Sequence, residues 1–562
     1  MTVLMWVVLI GLVFAAVSAL ASWRARTRLL ARIRREWGSP RVLKRDMDAI
    51  ADFYRSQPAV PSLDDRTWND LLMDDVFALV DRTESSIGQQ LLYYRLRLAA
   101  GPRNVPAFEA LVQRGGRDRD ERERAQIALA RLRDSAACYL HRLASPDALV
   151  RRPWHVLFPV WTLAMIAVLM LGFVVPWLAF AALIGFIVNF VIRVATARRI
   201  GVEVVWFRQL GPLMSCGQAL LALADEENAA ITGSMKSDLA SLGRLGAAAR
   251  WLSRDPLVVG DLAGVIFEFF NVLLLLDANA MYFASRALQS VTPELLRLIE
   301  AVGEIDAAIA VASLREATDG WTRPRFTGPG APAVLAGLRH PLVDEAVPNS
   351  IALAPPHGLL VTGSNMSGKS TFLRTVGVNV VLAQTINTCF ARTYEAPVYQ
   401  VRTCIGRADD LIAGKSYYLV EVESVLGLVN AGERPEPHLF IFDELFRGTN
   451  AVERIAAAEA VLHTLIAGGK PHIVLAATHD GELVDLLAGS YAVCHFGDAV
   501  GPEGLVFDYQ LAAGPATSRN AIALLELNGA PESLVRRALT RAAALDQLRE
   551  EGTARSASPK LR

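Results

Sequence analysis

Cysteine is scarce in this chain: five residues in 562, none of them in a C-x-x-C pair. That excludes both a disulfide framework and a zinc ribbon. Net charge is missing as well, since 57 Lys and Arg balance 57 Asp and Glu. No global basic excess therefore argues for a nucleic-acid partner. The chain shows no internal repeat. What it has in excess is apolar sequence, 52% of all residues, with a mean hydropathy of +0.30. Its length leaves room for several domains.

Residues 363 to 370 read Gly-Ser-Asn-Met-Ser-Gly-Lys-Ser, a complete G-x-x-x-x-G-K-S phosphate loop. The apolar run Leu359 to Thr362 leads in as a strand, and Ser370 to Gln384 leads out as a helix. That context separates a nucleotide site from a chance match. Gly363, Ser364, Asn365, Met366, Ser367, Gly368, Lys369, Ser370 and Thr371 are the expected nucleotide-binding residues. The glycines let backbone N–H groups close on phosphates, and the helix N-terminus adds a favourable dipole. Lys369 reaches the β- and γ-phosphates, and Ser370 offers its hydroxyl to Mg²⁺. A second apolar strand, Leu439 to Phe442, ends in Asp443 and Glu444. Asp443 suits a Walker B metal ligand and Glu444 the base that orients the attacking water. A third, Ile473 to Thr478, ends in His479, placed to contact the γ-phosphate. The expected cofactors are ATP and Mg²⁺, in an α/β P-loop ATPase domain of ABC type with its ligand at the strand carboxyl ends.

These motifs, taken together, resemble the MutS-type mismatch-repair ATPases. Thr362 to Thr371 is similar to that family's Walker A, Phe442 to Thr449 to its Walker B, and Ala477-Thr478-His479 to the segment after it. Asp409 to Glu421 resembles the family's signature segment, Leu338 to Val343 the opening of its ATPase domain, and Thr517 to Ala538 its C-terminal helical pair. The likeness covers residues 300 to 540, and Asp81 to Leu92 resembles the start of the family's helical core. It implies that Ser416 reaches the γ-phosphate bound by the opposite subunit, so catalysis draws on Glu444, His479 and Ser416 in a homodimer joined through the ATPase domains. It further implies helical arms that act on DNA, in repair or recombination. Mismatch recognition itself is not implied, because no Phe-x-Glu wedge stands in a suitable place. Only eighty residues precede Asp81, too few for the family's mismatch-reading and connector domains.

Three apolar stretches read as membrane spans. Val3 to Ala21 is long enough to cross a bilayer and is followed by Arg24, Arg26, Arg28, Arg32, Arg34 and Arg35. Met1-Thr2-Val3 lacks the basic region of a cleaved signal peptide. Trp154 to Val194, divided at Pro176-Trp177, reads as a hairpin with basic residues at both outer ends. Gly264 to Leu276 is shorter, carries Glu268 and Asn271, and reads as a core helix.

The expected layout is therefore a transmembrane anchor over 1–23, a cytosolic helical region over 24–150, a transmembrane hairpin over 154–194 and a helical core or lever over 200–317. A hinge rich in Gly and Pro follows over 318–333, then the ATPase domain with its helical pair over 334–540 and a polar tail over 546–562. The expected place is a bacterial-type inner membrane, multi-pass, with the ATPase domain cytoplasmic. The expected function is a membrane-anchored ATPase acting on DNA. A DNA-free ATP-driven switch that signals to a membrane or envelope partner is the alternative. A transporter ATPase is disfavoured, because 425–438 holds nothing like Leu-Ser-Gly-Gly-Gln.

Overall fold

The structure is a computed structural model. It describes the chain apart from residues 1, 42–43, 58–61, 99–103, 146–155, 173, 244–268, 277, 280–281, 284–287, 289, 356–357, 365, 406–416, 448, 502–503, 517–520 and 557–562. The chain forms two compact units, one of residues 1–61 and 77–319, the other of 62–76 and 320–562.

The first unit is helical and built around Thr292–Glu316, whose run of small and branched residues is buried along most of its length. Two helices, Ser86–Arg97 and Val105–Arg117, lie against it. Close approach is possible because two glycines have no side chain at the contact. A Cβ on Gly303 would stand 2.6 Å from Leu91, and one on Gly88 would stand 2.2 Å from Asp306. Asp306 closes the start of Ser86–Arg97: its carboxylate accepts from Glu84 N at 3.0 Å, Ser85 N at 2.7 Å and Ser85 Oγ at 2.6 Å. Ser85 in turn caps Gly88 N at 2.9 Å, so two backbone donors of that helix end, Ser85 N and Gly88 N, are satisfied.

Among the described residues no helix is long and apolar enough to cross a membrane. This corrects the expectation of transmembrane helices, of membrane contact through three spans and of an inner-membrane location. Leu157–Gly172 has 16 residues, against roughly twenty for the hydrocarbon core. In Leu178–Arg208 the apolar run ends at Arg193. Polar groups in both helices are held within the protein. Asn189 Nδ2 donates to Leu273 O at 2.7 Å, Trp161 Nε1 to Asn189 Oδ1 at 2.6 Å and Thr162 Oγ1 to Leu274 O at 2.9 Å. Phe158 packs with Leu275, Ala278 and Ile192. For the first stretch, the side chains of residues 1–15 lie outside the description. The later part of Thr2–Glu36 is strongly basic, and Arg32 and Arg34 pair with Glu84 and Glu123, both at 2.9 Å.

The second unit holds two sheets, β1 (Arg325–Phe326) with β5 (Thr393–Ala396), β2 (Ala333–Leu338) and β3 (Asn349–Leu353) in the order β1-β5-β2-β3. The larger sheet takes β4 (Gly358–Thr362), β6 (Gln400–Cys404), β7 (His438–Asp443), β8 (Ile473–Ala477), β9 (Tyr491–Gly501) and β10 (Gly504–Ala513) in the order β10-β9-β4-β8-β7-β6. All its pairings are parallel except β9 with β10. β4 and β8 are buried throughout, as strands covered on both faces require. The helices used below are α1 (Asp65–Asp70), α2 (Lys369–Ile386), α3 (Tyr417–Ala431) and α4 (Ala451–Ile466), numbered within this unit. Side chains of α3, α4, β7 and β8 share one apolar cluster centred on Phe440, Phe442 and Leu462. Strand order reverses around β4, which lies between β8 and β9, so a crevice opens at the strand carboxyl ends there.

Gly88→Ala gives a test of the helical packing. Helix propensity alone favours alanine by about 1 kcal/mol. The Asp306 contact should reverse that sign and cost about 1–3 kcal/mol through overpacking. Thermal unfolding of the variant measures it, and a melting temperature at or above wild type would contradict the close approach.

Candidate functional site

The site begins at the end of β4. Gly363 takes φ 136 and Gly368 φ 107, both in the region that L side chains avoid. A Cβ on Gly363 would also meet Phe496 O and Ser367 Oγ at 2.9 Å. Met366, at φ 69, projects into solvent. Ser367 is fully buried, and its Oγ has no hydrogen-bond partner. Lys369 opens α2 and folds back over the loop, donating to Gly363 O at 2.9 Å and Ser364 O at 2.8 Å. Burial lowers its pKa, opposed by the nearby Glu444 and Asp443 carboxylates. Thr371 follows in the first turn of α2 and lines the same cavity. Asn365 and Ser416, both expected site residues, lie outside the described residues.

Strand register brings the other groups to this loop. Val361 pairs with Ala477, and Ala477 pairs with Asp443. Past the ladder, Thr478 N donates to Val361 O at 3.1 Å and Glu444 N to Ala477 O at 3.0 Å. Ser370 Oγ thus reaches Asp443 Oδ2 at 2.5 Å. Burial raises the Asp443 pKa, opposed by that hydroxyl. A hydroxyl and a carboxylate side by side are hard oxygen donors. They suit a Mg²⁺ ion, which keeps waters and takes phosphate oxygens. Among the described residues no group of three or more His, Cys, Asp and Glu could form a protein cage for a metal.

Glu444 has φ 53, which turns its side chain back towards the loop. His479 Nε2 stands 2.5 Å from Glu444 Oε1 and Arg447 Nη1 stands 2.7 Å from Glu444 Oε2. The hydrogen bond with His479 holds the Glu444 pKa below the usual carboxylate range. His479 Nε2 also lies 3.4 Å from Lys369 Nζ. Arg454 on α4 pairs with Asp480 at 2.6 Å, and Asp480 N donates to Thr478 Oγ1 at 3.0 Å, which fixes the turn carrying His479. Glu421 on α3 accepts from Phe446 N at 2.6 Å and so anchors the turn after Glu444.

A cavity of about 580 Å³ opens beside the phosphate loop, Asp443 and Glu444, of a size that takes a small-molecule ligand. It is lined by the phosphate loop, Asp443, Glu444, the stretch from Val343 to Asn349, and Tyr509. Sequence reasoning gave no role to Arg447, although it stands inside the Walker B segment. It also missed Glu421, Tyr509 and Arg66. Glu421 closed the segment read as a signature, so spacing from Phe446 was its only signal. Tyr509 and Arg66 lie far along the chain and carry no motif.

A glycine-rich loop between a buried strand and a helix, with a serine of that helix paired to an aspartate at the end of a neighbouring strand, defines a P-loop nucleotide-binding ATPase domain. The comparisons narrow that class. Residues 359–546 match the family model described as MutS domain V. The chain is 36% identical over 252 residues to the DNA mismatch repair protein MutS of Thermus thermophilus, covering 44% of this chain and 30% of that protein. It is 35% identical over 277 residues to the protein of that name from Geobacillus thermodenitrificans, covering 46% and 29%. For Streptococcus equi subsp. equi the figures are 33% over 272 residues, 46% and 31%. The chain thus spans under a third of the length of the curated relatives it matches. The likeness is to their ATPase part.

His340, beside the cavity, gives a pH test. Burial pushes its pKa down to about 4, with Arg374 acting in the same direction. The folded unit therefore binds fewer protons than the unfolded chain between about pH 6.5 and 4. Its contribution to stability is complete above 6.5 and lost as pH falls towards 4. His438 is pushed down to about 4 for the same first reason. Melting temperature should fall across that window, and His340→Gln should flatten the fall. An unchanged slope in the variant would show that His340 is not buried as a neutral ring.

Proposed function

We propose that this protein is a Mg²⁺-dependent ATP hydrolase of the MutS domain V type that works as a dimer and acts on DNA. The observation that carries the chemistry is the Ser370–Asp443 pair at 2.5 Å beside a lysine folded over a phosphate loop. In this reading Gly363 to Thr371 wrap the phosphates with backbone N–H groups. Lys369 exchanges its two loop carbonyls for phosphate oxygens. Ser370 and Asp443 hold Mg²⁺, which neutralises charge on the transferring phosphoryl group.

Glu444 orients the attacking water. Its low pKa keeps it ionised at neutral pH, but both its oxygens are engaged, one by His479 and one by Arg447. A water needs one of them. Arg447 is half-exposed and three residues away, so its pair is the cheaper to break. His479, within reach of both Glu444 and Lys369, is then placed to contact the γ-phosphate. Ser416 acts across a dimer, as the family resemblance implies, and completes the partner's site.

DNA as the target rests on the relatives, whose names are those of DNA mismatch repair proteins. The balanced charge of the chain adds no independent support. Stimulation of turnover by added DNA tests this part separately. Hydrolysis that is unaffected by duplex, mismatched or branched DNA would remove DNA from the proposal and leave the ATPase.

Glu444→Gln should bind ATP and turn it over slowly, while Lys369→Ala should lose affinity. Near-normal turnover in the Glu444 variant would exclude it as the water-orienting group. Ser416→Ala should keep ATP binding and lose roughly ten- to a thousand-fold in rate. Mixing Ser416→Ala with Lys369→Ala subunits should return part of the activity, because one composite site then carries both defects and the other neither. Mixed dimers that form and stay inactive would contradict the shared site.

A further inference from the structure

The segment 62–76 belongs to the ATPase unit, although it precedes the phosphate lysine by about 300 positions. It is built in by many contacts. Trp68, Leu71 and Met73 are fully buried, and a Cβ on Gly377 of α2 would meet Leu71 at 2.6 Å. Asp70 Oδ2 accepts from Thr403 Oγ1 at 2.9 Å and Ile405 N at 2.8 Å at the end of β6. Thr67 Oγ1 accepts from Thr403 N at 3.2 Å, and Asp64 pairs with Arg402. Arg374, on the helix that carries Lys369 and Ser370, donates to Asp70 O at 2.8 Å. Two elements of the ATPase unit, β6 and α2, therefore meet this segment.

One side chain of α1 enters the cavity itself. Arg66 lines it together with Ser370, Asp443 and Glu421. Its Nη1 donates to Ser424 Oγ on α3 and its Nη2 to Cys404 Sγ at 3.0 Å. Its buried Nε has no hydrogen-bond acceptor, and an Asp70 carboxylate oxygen stands 3.8 Å from it. Cys404 ends β6 beside Phe442, the residue before Asp443, and Cys404 and Arg66 both line the cavity that Lys369, Ser370 and Asp443 line. A thiol is a weak acceptor for an arginine, and burial keeps this one protonated. The planar fork matches phosphate far better.

We propose that Arg66 is a phosphate-binding residue of the nucleotide site, supplied in cis by the segment 62–76. It exchanges the Cys404 sulfur for a phosphate oxygen when nucleotide enters. The segment then bears directly on bound nucleotide at the point where the chain passes from the helical unit into the ATPase unit and back. The inference rests on the ATP-binding reading above.

The test measures binding of a fluorescent ATP analogue to the full chain. Arg66→Gln, which keeps hydrogen-bonding capacity without the charge, should weaken binding by about ten- to a hundred-fold. Arg66→Lys should restore a good part of it. Ser424→Ala, which removes the present partner and keeps the cation, should stay within about two-fold of wild type. An Arg66→Gln affinity within about two-fold of wild type would overturn the proposal. So would a loss in Ser424→Ala as large as that in Arg66→Gln, which would make Arg66 a structural strut. Wild-type protein that binds no ATP analogue would instead overturn the ATPase reading itself, and this proposal with it.

Discussion

The parallel register of β4, β8 and β7 is the constraint on which the site depends. Val361, Ala477 and Asp443 lie in one row across the sheet. A shift of one residue in any strand would turn its side chains to the opposite face. It would also part Ser370 from Asp443, since α2 is fixed to the end of β4 by a loop of only a few residues. Two hydrogen bonds extend the row past the ladder, Thr478 N to Val361 O and Glu444 N to Ala477 O. They set the first residues beyond each strand, and those residues carry the chemistry. The core of large apolar side chains behind them, Phe440 and Phe442 above all, is what holds the register.

A second constraint is topological. The ATPase unit is assembled from residues 320–562 and from fifteen residues that arrive from the N-terminal side. Closing a loop of that length carries an entropic cost, though it grows only slowly with length. The offsetting contacts are apolar burial by Trp68, Leu71 and Met73 and a dense set of charged hydrogen bonds at Asp70, Arg66 and Asp64. Buried polar groups of this kind add specificity as much as stability, because each is costly if misplaced. The segment can therefore dock in one register only.

These two constraints differ in how far the chain reveals them. Around β4 and α2 local pattern and tertiary demand agree. An apolar run, glycines at positive φ, a lysine and a serine all stand within a dozen residues, so the phosphate loop is legible. Asp443 and Glu444 are legible for the same reason, as carboxylates at the end of a buried strand. Arg447 and Glu421 are not, because their roles depend on turns whose geometry no residue type announces. Arg66 is invisible from sequence, since its partners Cys404 and Ser424 are more than 300 positions away. The apolar stretch 154–194 failed in the other direction. Apolar length alone points to membrane crossing, yet Asn189, Thr162 and Trp161 bond to backbone and side chains of the protein. A count of apolar residues cannot register such partners.

Backbone strain at Glu444 ties the geometry to the chemistry. A non-glycine residue at positive φ is uncommon, and this turn holds two, Glu444 at 53 and Phe446 at 56. Such a conformation persists only where its surroundings over-determine it. Here they do: Glu444 N is bound to Ala477 O, Phe446 N to Glu421, and the Glu444 carboxylate to His479 and Arg447. The backbone anchors and the carboxylate anchors are separate groups. Breaking one carboxylate pair to admit a water leaves the backbone anchors intact. The turn can therefore keep its strained shape while the carboxylate changes partner, which a base positioned by side-chain contacts alone could not do.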